Sequence, residues 1–366
     1  MRVILREKRG SPCLEEAGGV TAPAPAQIVP KSKLSDEFII EVLARKYQEH
    51  RPVYRQCATL ADEHGIELSR KTLPAAILAA GSLLVPVSRA MREELLAAAY
   101  VQADETTMPC QTGERTGHNH RAFMWQFSNP GGIVVFDFQM GRSRAGPRRF
   151  LEGVRGLLQG DGYDADDKLG EGSVYAGCMA HVRRGFVEAG KLAPLDPVPP
   201  EILARFAEVY AVEKAAREQD LGAARRLALR RAQSLPVMTA LKARLVAVRQ
   251  HILPGGKLAQ ACDYALGQWN RLEEYLRDGR LEIDNNWCEG AMRPLAWGRK
   301  NWLPIGSPEA GPKVAAIASV VETCRRLDIH LRAYLRSLLP HLGDWPINRV
   351  RALTPTAWKA AQAKPA

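Results

Sequence analysis

The strongest constraint on this chain is a change of hydrophobic period near residue 98, where helical spacing gives way to β-type runs. Three runs rich in β-branched and aromatic residues follow one another: AAYVQADETTM, RAFMWQFSN and GIVVFDFQM. A Pro-Gly-Gly turn at Pro130 to Gly132 separates the last two. A helical segment (Arg144 to Val154), a short apolar strand in GLLQGDGY and a helical stretch (Ala165 to Leu169) come next. A strand in SVYAGCM then leads into a basic helix, AHVRRGFVEAGK. The order β-β-β-α-β-α-β-α predicts an α/β layer built on a mixed sheet of five strands.

Helical patterning surrounds this layer. Residues 1–34, rich in Pro, Ala, Gly and Lys, read as a disordered arm or linker. From Ser35, SDEFIIEVLARKYQEH has apolar residues at helical spacing, with Ser35 as the cap and Asp36 and Glu37 in the first turn. A short helix (Arg55 to Glu63), a break at Gly65 and a second helix opened by Ser69 fit a helix-turn-helix, with Arg70 and Lys71 at the front of the second helix. A plain helical hairpin fits equally, and Pro74 disfavours a long recognition helix. Residues 35–95 are therefore expected to be a helical part, and 96–192 with 281–342 the α/β core. Residues 193–280 read as a helical insertion without a fixed repeat, and 343–366 as a loosely ordered tail.

Charge narrows the function classes. A net charge of +11 attracts polyanions, and nucleic acid is the commonest of these. The N-terminus has no signal-peptide pattern, and the most apolar piece, Leu73 to Val87, is interrupted by Pro74, Gly81, Ser82 and Pro86. A cytoplasmic protein that does not engage a membrane is the expectation. Seven scattered cysteines without a Cys-x-x-Cys pair support neither a disulfide framework nor a zinc ribbon.

Three acids carry the candidate chemistry. Asp104 is expected at the end of the first strand of the layer and Asp161 at the end of the fourth, flanked by Gly160 and Gly162. Strands of one sheet can bring such ends together. Glu289 follows DNNWC, where Asp284 or Asn285 can cap a helix carrying it. Three carboxylates without His or Cys make a hard oxygen site suited to Mg²⁺ or Mn²⁺. Two such ions about 3.5–4 Å apart would serve phosphodiester displacement. Each acid alone also fits an ordinary turn or an exposed helix position.

The strings ADET, GVRGLLQGDGY, CMAHVRRGF and LEIDNNWCEGAMRPLAWGRKNWL occur in that order. Together they resemble the transposases of the insertion-sequence-66 family over roughly Ser35 to Leu342. The resemblance implies a ribonuclease-H-like core and a catalytic triad of Asp104, Asp161 and Glu289. It also implies two Mg²⁺ or Mn²⁺ ions, with cleavage at transposon ends followed by strand transfer into target DNA. Terminal inverted repeats and target DNA would be the partners, with a homo-oligomer in the DNA complex and accessory proteins of the same element.

Cys178 and His181 are similar to a Cys-x-x-His signature of several such families. A zinc site there would need two more ligands, none of them nearby in sequence, so a role bracing the active site or touching substrate is expected. Arg183 and Arg184 are expected on phosphates. Arg299, Lys300, Asn301 and Trp302 fit DNA contact with Trp302 stacked on an unpaired base, or else a basic turn with a buried tryptophan. Asn285 and Asn286 are either DNA contacts or caps. Relatives carry a cysteine-bearing N-terminal module that only Cys13 represents here, which suggests truncation. They have an aromatic where Pro304 stands, and often a basic residue at Gly290. A DNA-binding derivative without activity, or a nuclease that cuts without joining, are the rival readings; the arginine-rich surroundings disfavour a carboxylate-dependent glycosidase.

Overall fold

The computed structural model describes residues 8–9, 20–21, 27–113, 118–143, 145–161, 172–302 and 304–363. Two-residue strands β1 (Lys8–Arg9) and β2 (Val20–Thr21) pair antiparallel. Ile28 is buried, and its N–H donates to Asp36 at 3.0 Å. The chain before Ser35 is thus not uniformly an unstructured arm.

Ser35 caps α1 (Asp36–Tyr47) by accepting from the Phe38 N–H. Next come α2 (Val53–His64), ended by Gly65 in the left-handed region, and α3 (Thr72–Leu96). The long α3 departs from expectation. Pro74 falls in its first turn, where no N–H is missed, and tertiary packing carries the helix past Gly81 and Pro86. A Cβ at Gly81 would lie 3.0 Å from Ile317, so the glycine permits close helix contact. By length and composition α3 is long and apolar enough to cross a bilayer, a test that the core helix of a globular domain also passes. Its apolar face, from Leu73 through Leu84 to Leu95, is instead built into the main core. The second helix of the hairpin is therefore a core helix, and Arg70 and Lys71 sit exposed in the turn before it.

The sheet contains β3 (Tyr100–Cys110), β4 (His120–Ser128), β5 (Val134–Gln139), β6 (Leu157–Gln159) and β7 (Val174–Ala176). Their spatial order is β5-β4-β3-β6-β7. The first three pair antiparallel, while β6 and β7 join parallel to β3 and to each other. Helix α4 (Ala145–Phe150) precedes β6, and the predicted helix Ala165 to Leu169 lies outside the described residues. After β7 come α5 (Met179–Leu192), α6 (Val198–Glu218), α7 (Ala223–Leu229), a π-turn (Arg230–Ser234), α8 (Leu235–His251), α9 (Lys257–Gly267) and α10 (Trp269–Leu272). The chain then returns to the sheet through α11 (Asn286–Asn301) and α12 (Gly311–Arg326). Helices α13 (Leu331–Leu338) and α14 (Pro355–Gln362) follow.

Two cores flank the sheet. One joins its central strands to α1, α3, α11, α12 and α13. The other packs Phe186 of α5 against Phe206 of α6, with Met238, Leu241 and Trp269. The edge of β5 is closed by α12: the N–H groups of Val134 and Phe136 donate to Thr323 and Ser319 at 3.0 and 2.8 Å. Ser319 and Thr323 lie four residues apart on one helix face, while Val134 and Phe136 lie two apart on one strand edge, so the two periods match. The tail is more ordered than expected. Thr354 caps α14, and Trp358 packs edge-on against Tyr334 with ring centroids 5.7 Å apart.

Candidate active site

Strand register brings the two aspartates to one place. Gln102 of β3 pairs with Gln159 of β6 in parallel, and each aspartate lies two residues further on. Parallel strands run the same way, so Asp104 and Asp161 leave the ladder at the same edge. Unlike the expectation, Asp104 does not end its strand: β3 continues to Cys110, pairing with β4, where Gln126 faces Asp104, and bridging Ile305 at its end.

The Glu105 N–H donates to Asp104 at 2.8 Å, yet the Asp104 carboxyl is pushed up to about 8. Burial is the main cause, and the charges of Asp161, Glu289 and Glu105 add to it. Asp161 and Glu289 therefore both stand near enough to Asp104 for their charges to act on it. Glu105 is tied to Arg142, whose Nε lies 2.8 Å from its carboxylate.

Glu289 is delivered by a lattice of buried glutamines that sequence reasoning missed. Gln102, Gln126 and Gln159 stand on neighbouring strands and are all fully buried. The Gln102 Nε2 lies 2.8 Å from Gln159 Oε1 and 3.1 Å from the Asp284 carbonyl, and its Oε1 accepts from Cys288 N–H at 3.1 Å. Gln126 donates to the Cys288 carbonyl at 2.9 Å, and Gln159 to those of Gly177 and Glu282 at 3.0 and 2.9 Å. These bonds fix the backbone on either side of the α11 N-terminus, one turn of which carries Glu289. Three glutamines in strand runs otherwise apolar were the available signal.

The caps divide unequally. Asp284 accepts from the Asn286 N–H at 3.1 Å and from Tyr210 Oη at 2.8 Å. Asn285 holds the N-cap position but its side chain caps nothing; it is fully buried with neither polar atom bonded, so it does not reach DNA directly. Asn286 is exposed.

Cys178 precedes α5 and His181 lies in its first turn, facing the same acid. His181 Nδ1 is 3.5 Å from Glu289 Oε1, and neither buried atom has a hydrogen-bond partner. Arg184 approaches the other Glu289 oxygen at 3.7 Å. Arg183 and Arg184 are exposed, and with Lys214 and Asn286 they line a groove between α5 and α6.

The RKNW string divides in a similar way. Arg299 is bound to β3, its Nη1 lying 3.0 Å from Thr106 Oγ1 and 2.9 Å from Thr107 Oγ1. Trp302 packs edge-on to Tyr47 at 4.9 Å and donates to the Lys46 carbonyl at 2.9 Å. Its ring also fills the space over Gly298, where a Cβ would meet it at 2.3 Å. The buried-tryptophan alternative thus describes Trp302. Lys300 and Asn301 remain exposed. On the same face as Glu289 lie Arg293 and Trp297, at successive steps of four, and Trp297 is 59% exposed. That spacing is legible in the sequence.

The donor set fits a hard divalent ion. Burial, with the neighbouring acids adding to it, pushes the Asp104 carboxyl up to about 8, and Glu289 Oε1 has no hydrogen-bond partner. All three acids offer oxygen alone.

Fold and site together define a basic α/β protein with a carboxylate cluster where the antiparallel half of its sheet meets the parallel half. The sequence profile described as "Transposase IS66 family" matches residues 31–313, and the chain belongs to that family. It is also similar to three Sinorhizobium fredii proteins. "Uncharacterized protein y4hP" is 29% identical over 93% of this chain and 65% of its own length. "Uncharacterized protein y4jD" is 31% identical over 95% and 70%. "Uncharacterized protein y4qI" is 29% identical over 93% and 66%. The chain thus spans about two thirds of the length of these relatives, 65–70%.

Proposed function

We propose that the chain is a DNA transposase that cleaves the ends of its element and joins them to target DNA. One observation carries this reading: Asp104, Asp161 and Glu289, far apart in sequence, converge at the edge of the parallel ladder. Membership of a transposase family supports it. The strand order, three antiparallel and two parallel, supports a ribonuclease-H-like core.

Mg²⁺ or Mn²⁺, two ions in this reading, would be held by the three carboxylates and would activate the attacking oxygen and stabilise the leaving one. The chain's own residues do the rest. The glutamine lattice holds Glu289 in register with the strands, so the site is preorganised. Arg183, Arg184, Arg293 and Lys300 supply phosphate contacts around it, with Arg70 and Lys71 on the N-terminal turn. Trp297, in place of Trp302, offers the exposed ring for an unpaired base. Terminal inverted repeats, target DNA, a second copy of the chain and accessory proteins are the partners that membership of the family implies. A protein acting on bacterial DNA would work in the cytoplasm, at the nucleoid.

The test is Mn²⁺-dependent cleavage and joining of DNA carrying the element's ends, comparing the wild type with Asp161→Ala. Cleaved and covalently joined products that vanish in the variant support the proposal. Cleavage without joining would assign a nuclease. Binding without cleavage would assign a DNA-binding derivative.

A further inference from the structure

Cys178, His181 and Glu289 each offer a ligand atom, and these atoms lie within 4.8 Å of one another. Sequence spacing alone left Cys178 and His181 short of partners, because the third donor stands 108 residues beyond His181 (289 − 181) and arrives on a different helix. Two of the three donors, His181 Nδ1 and Glu289 Oε1, are buried atoms without hydrogen-bond partners that face each other at 3.5 Å. Ligands held tetrahedrally at about 2.0–2.1 Å from zinc stand about 3.4 Å apart, so this pair is already near ligating separation. The third donor, Cys178 Sγ, is buried and accepts from the backbone N–H groups of Asn285, at 3.5 Å, and His181.

We infer that Cys178 Sγ, His181 Nδ1 and Glu289 Oε1 form a site for a thiophilic divalent cation of the zinc class. The site is distinct in chemistry from the oxygen site of Asp104 and Asp161 and shares only Glu289 with it. Sulfur and imidazole select zinc or cobalt over magnesium, whereas oxygen donors alone suit magnesium or manganese. Three protein donors leave a fourth position open for water or another ligand. On binding, the Cys178 thiol loses its proton to solvent as the metal–sulfur bond forms. An ion seated here engages a Glu289 oxygen, so it competes with the hard ions for that acid and acts as a brake on the neighbouring site.

The site stands on its own geometry, and its test does not require catalysis. Metal-free full-length protein is titrated with Co²⁺ while its absorbance is followed. A stoichiometric tetrahedral spectrum with a thiolate-to-cobalt charge-transfer band is expected, displaced by one equivalent of Zn²⁺. Cys178→Ser should abolish the charge-transfer band, and His181→Gln should weaken Co²⁺ binding at least about tenfold, in line with loss of one ligand. Cys262→Ser and Asp104→Asn should leave the band intact, and melting curves show whether each variant is folded. No sulfur–cobalt band at stoichiometric Co²⁺, or a band that survives in folded Cys178→Ser, would overturn the inference. Loss of the band in Asp104→Asn would overturn the separation of the two sites. Cobalt binding in a protein that never cleaves DNA would leave this site standing and the transposase proposal refuted.

Discussion

Two clusters of charge in this molecule use the same residue types in opposite ways. In the helical insertion, Glu213 and Arg230 are completely buried and every donor is spent. Arg230 Nε and Nη2 bond Glu213 at 2.6 and 2.9 Å, and its remaining N–H groups reach the carbonyls of Tyr275, Asp278 and Leu281. Arg226 bridges Glu213 and Glu282 at 3.0 and 2.8 Å. Burial pushes the Glu213 carboxyl upward, yet the two arginines hold it below its ordinary value. At the sheet edge the balance is reversed. Acids crowd Asp104, and Glu289, His181 and Asn285 each have a buried atom with no hydrogen-bond partner. Matched charges there hold elements together, while at the sheet edge the acids face one another with few hydrogen bonds to offset them. Burial alone does not separate the two; satisfaction does.

That contrast can be broken by experiment. The largest effect is expected from Glu213→Ala, which leaves Arg230 buried without its counter-ion. A loss of about 3–5 kcal/mol in urea unfolding is expected, and a neutral result would mean the network is not structural. Gln102→Leu should come next, stranding the Asp284 carbonyl and the Cys288 N–H at a cost of about 1–3 kcal/mol. It should also lower cleavage, since Glu289 loses its register; unchanged unfolding would show the lattice relaxes around it.

Asp104→Asn should act in the opposite direction on stability. Relieving the acid cluster should stabilise the metal-free protein at neutral pH by on the order of 1 kcal/mol, where a pKa unit corresponds to about 1.4 kcal/mol, and so raise its melting temperature. The same change should abolish stabilisation by Mn²⁺, and a lower melting temperature in the variant would contradict the unmatched-charge account.

The smallest effect belongs to a surface pair. Hydrogen bonding to Arg332, then to Arg45, holds Glu41 down to about 2 despite some burial. A lowered carboxyl adds stability that is complete above its unfolded value near 4.5 and is lost as pH falls toward about 2. Glu41→Gln should therefore cost less than about 1 kcal/mol at pH 7, and the difference from wild type should shrink in acid. A difference independent of pH would remove the ion pair from the explanation.

Local signals in the sequence determined a good part of this protein. The change of period located every strand of the sheet to within a few residues, because alternation and β-branching are read from neighbours. Ser35 capping α1 and Gly65 ending α2 are likewise contacts within a few residues. The three acids were legible as residues, though their meeting was not. Tertiary structure alone decided what depends on distant partners. Gln102 bonds a backbone 186 residues away at Cys288, so its buried amide reads locally as a polar interruption of a strand. Trp302 and Trp297 differ by five positions on one helix and its cap, yet Tyr47 covers the first and leaves the second in solvent. Helix α3 persists through Gly81 and Pro86 because α12 packs against it, overriding local propensity. Cys178 and His181 acquire Glu289 only when the insertion returns α11 to the sheet edge. Local order follows from short-range sterics and capping, whereas a site is a meeting of groups that only the packed chain brings together.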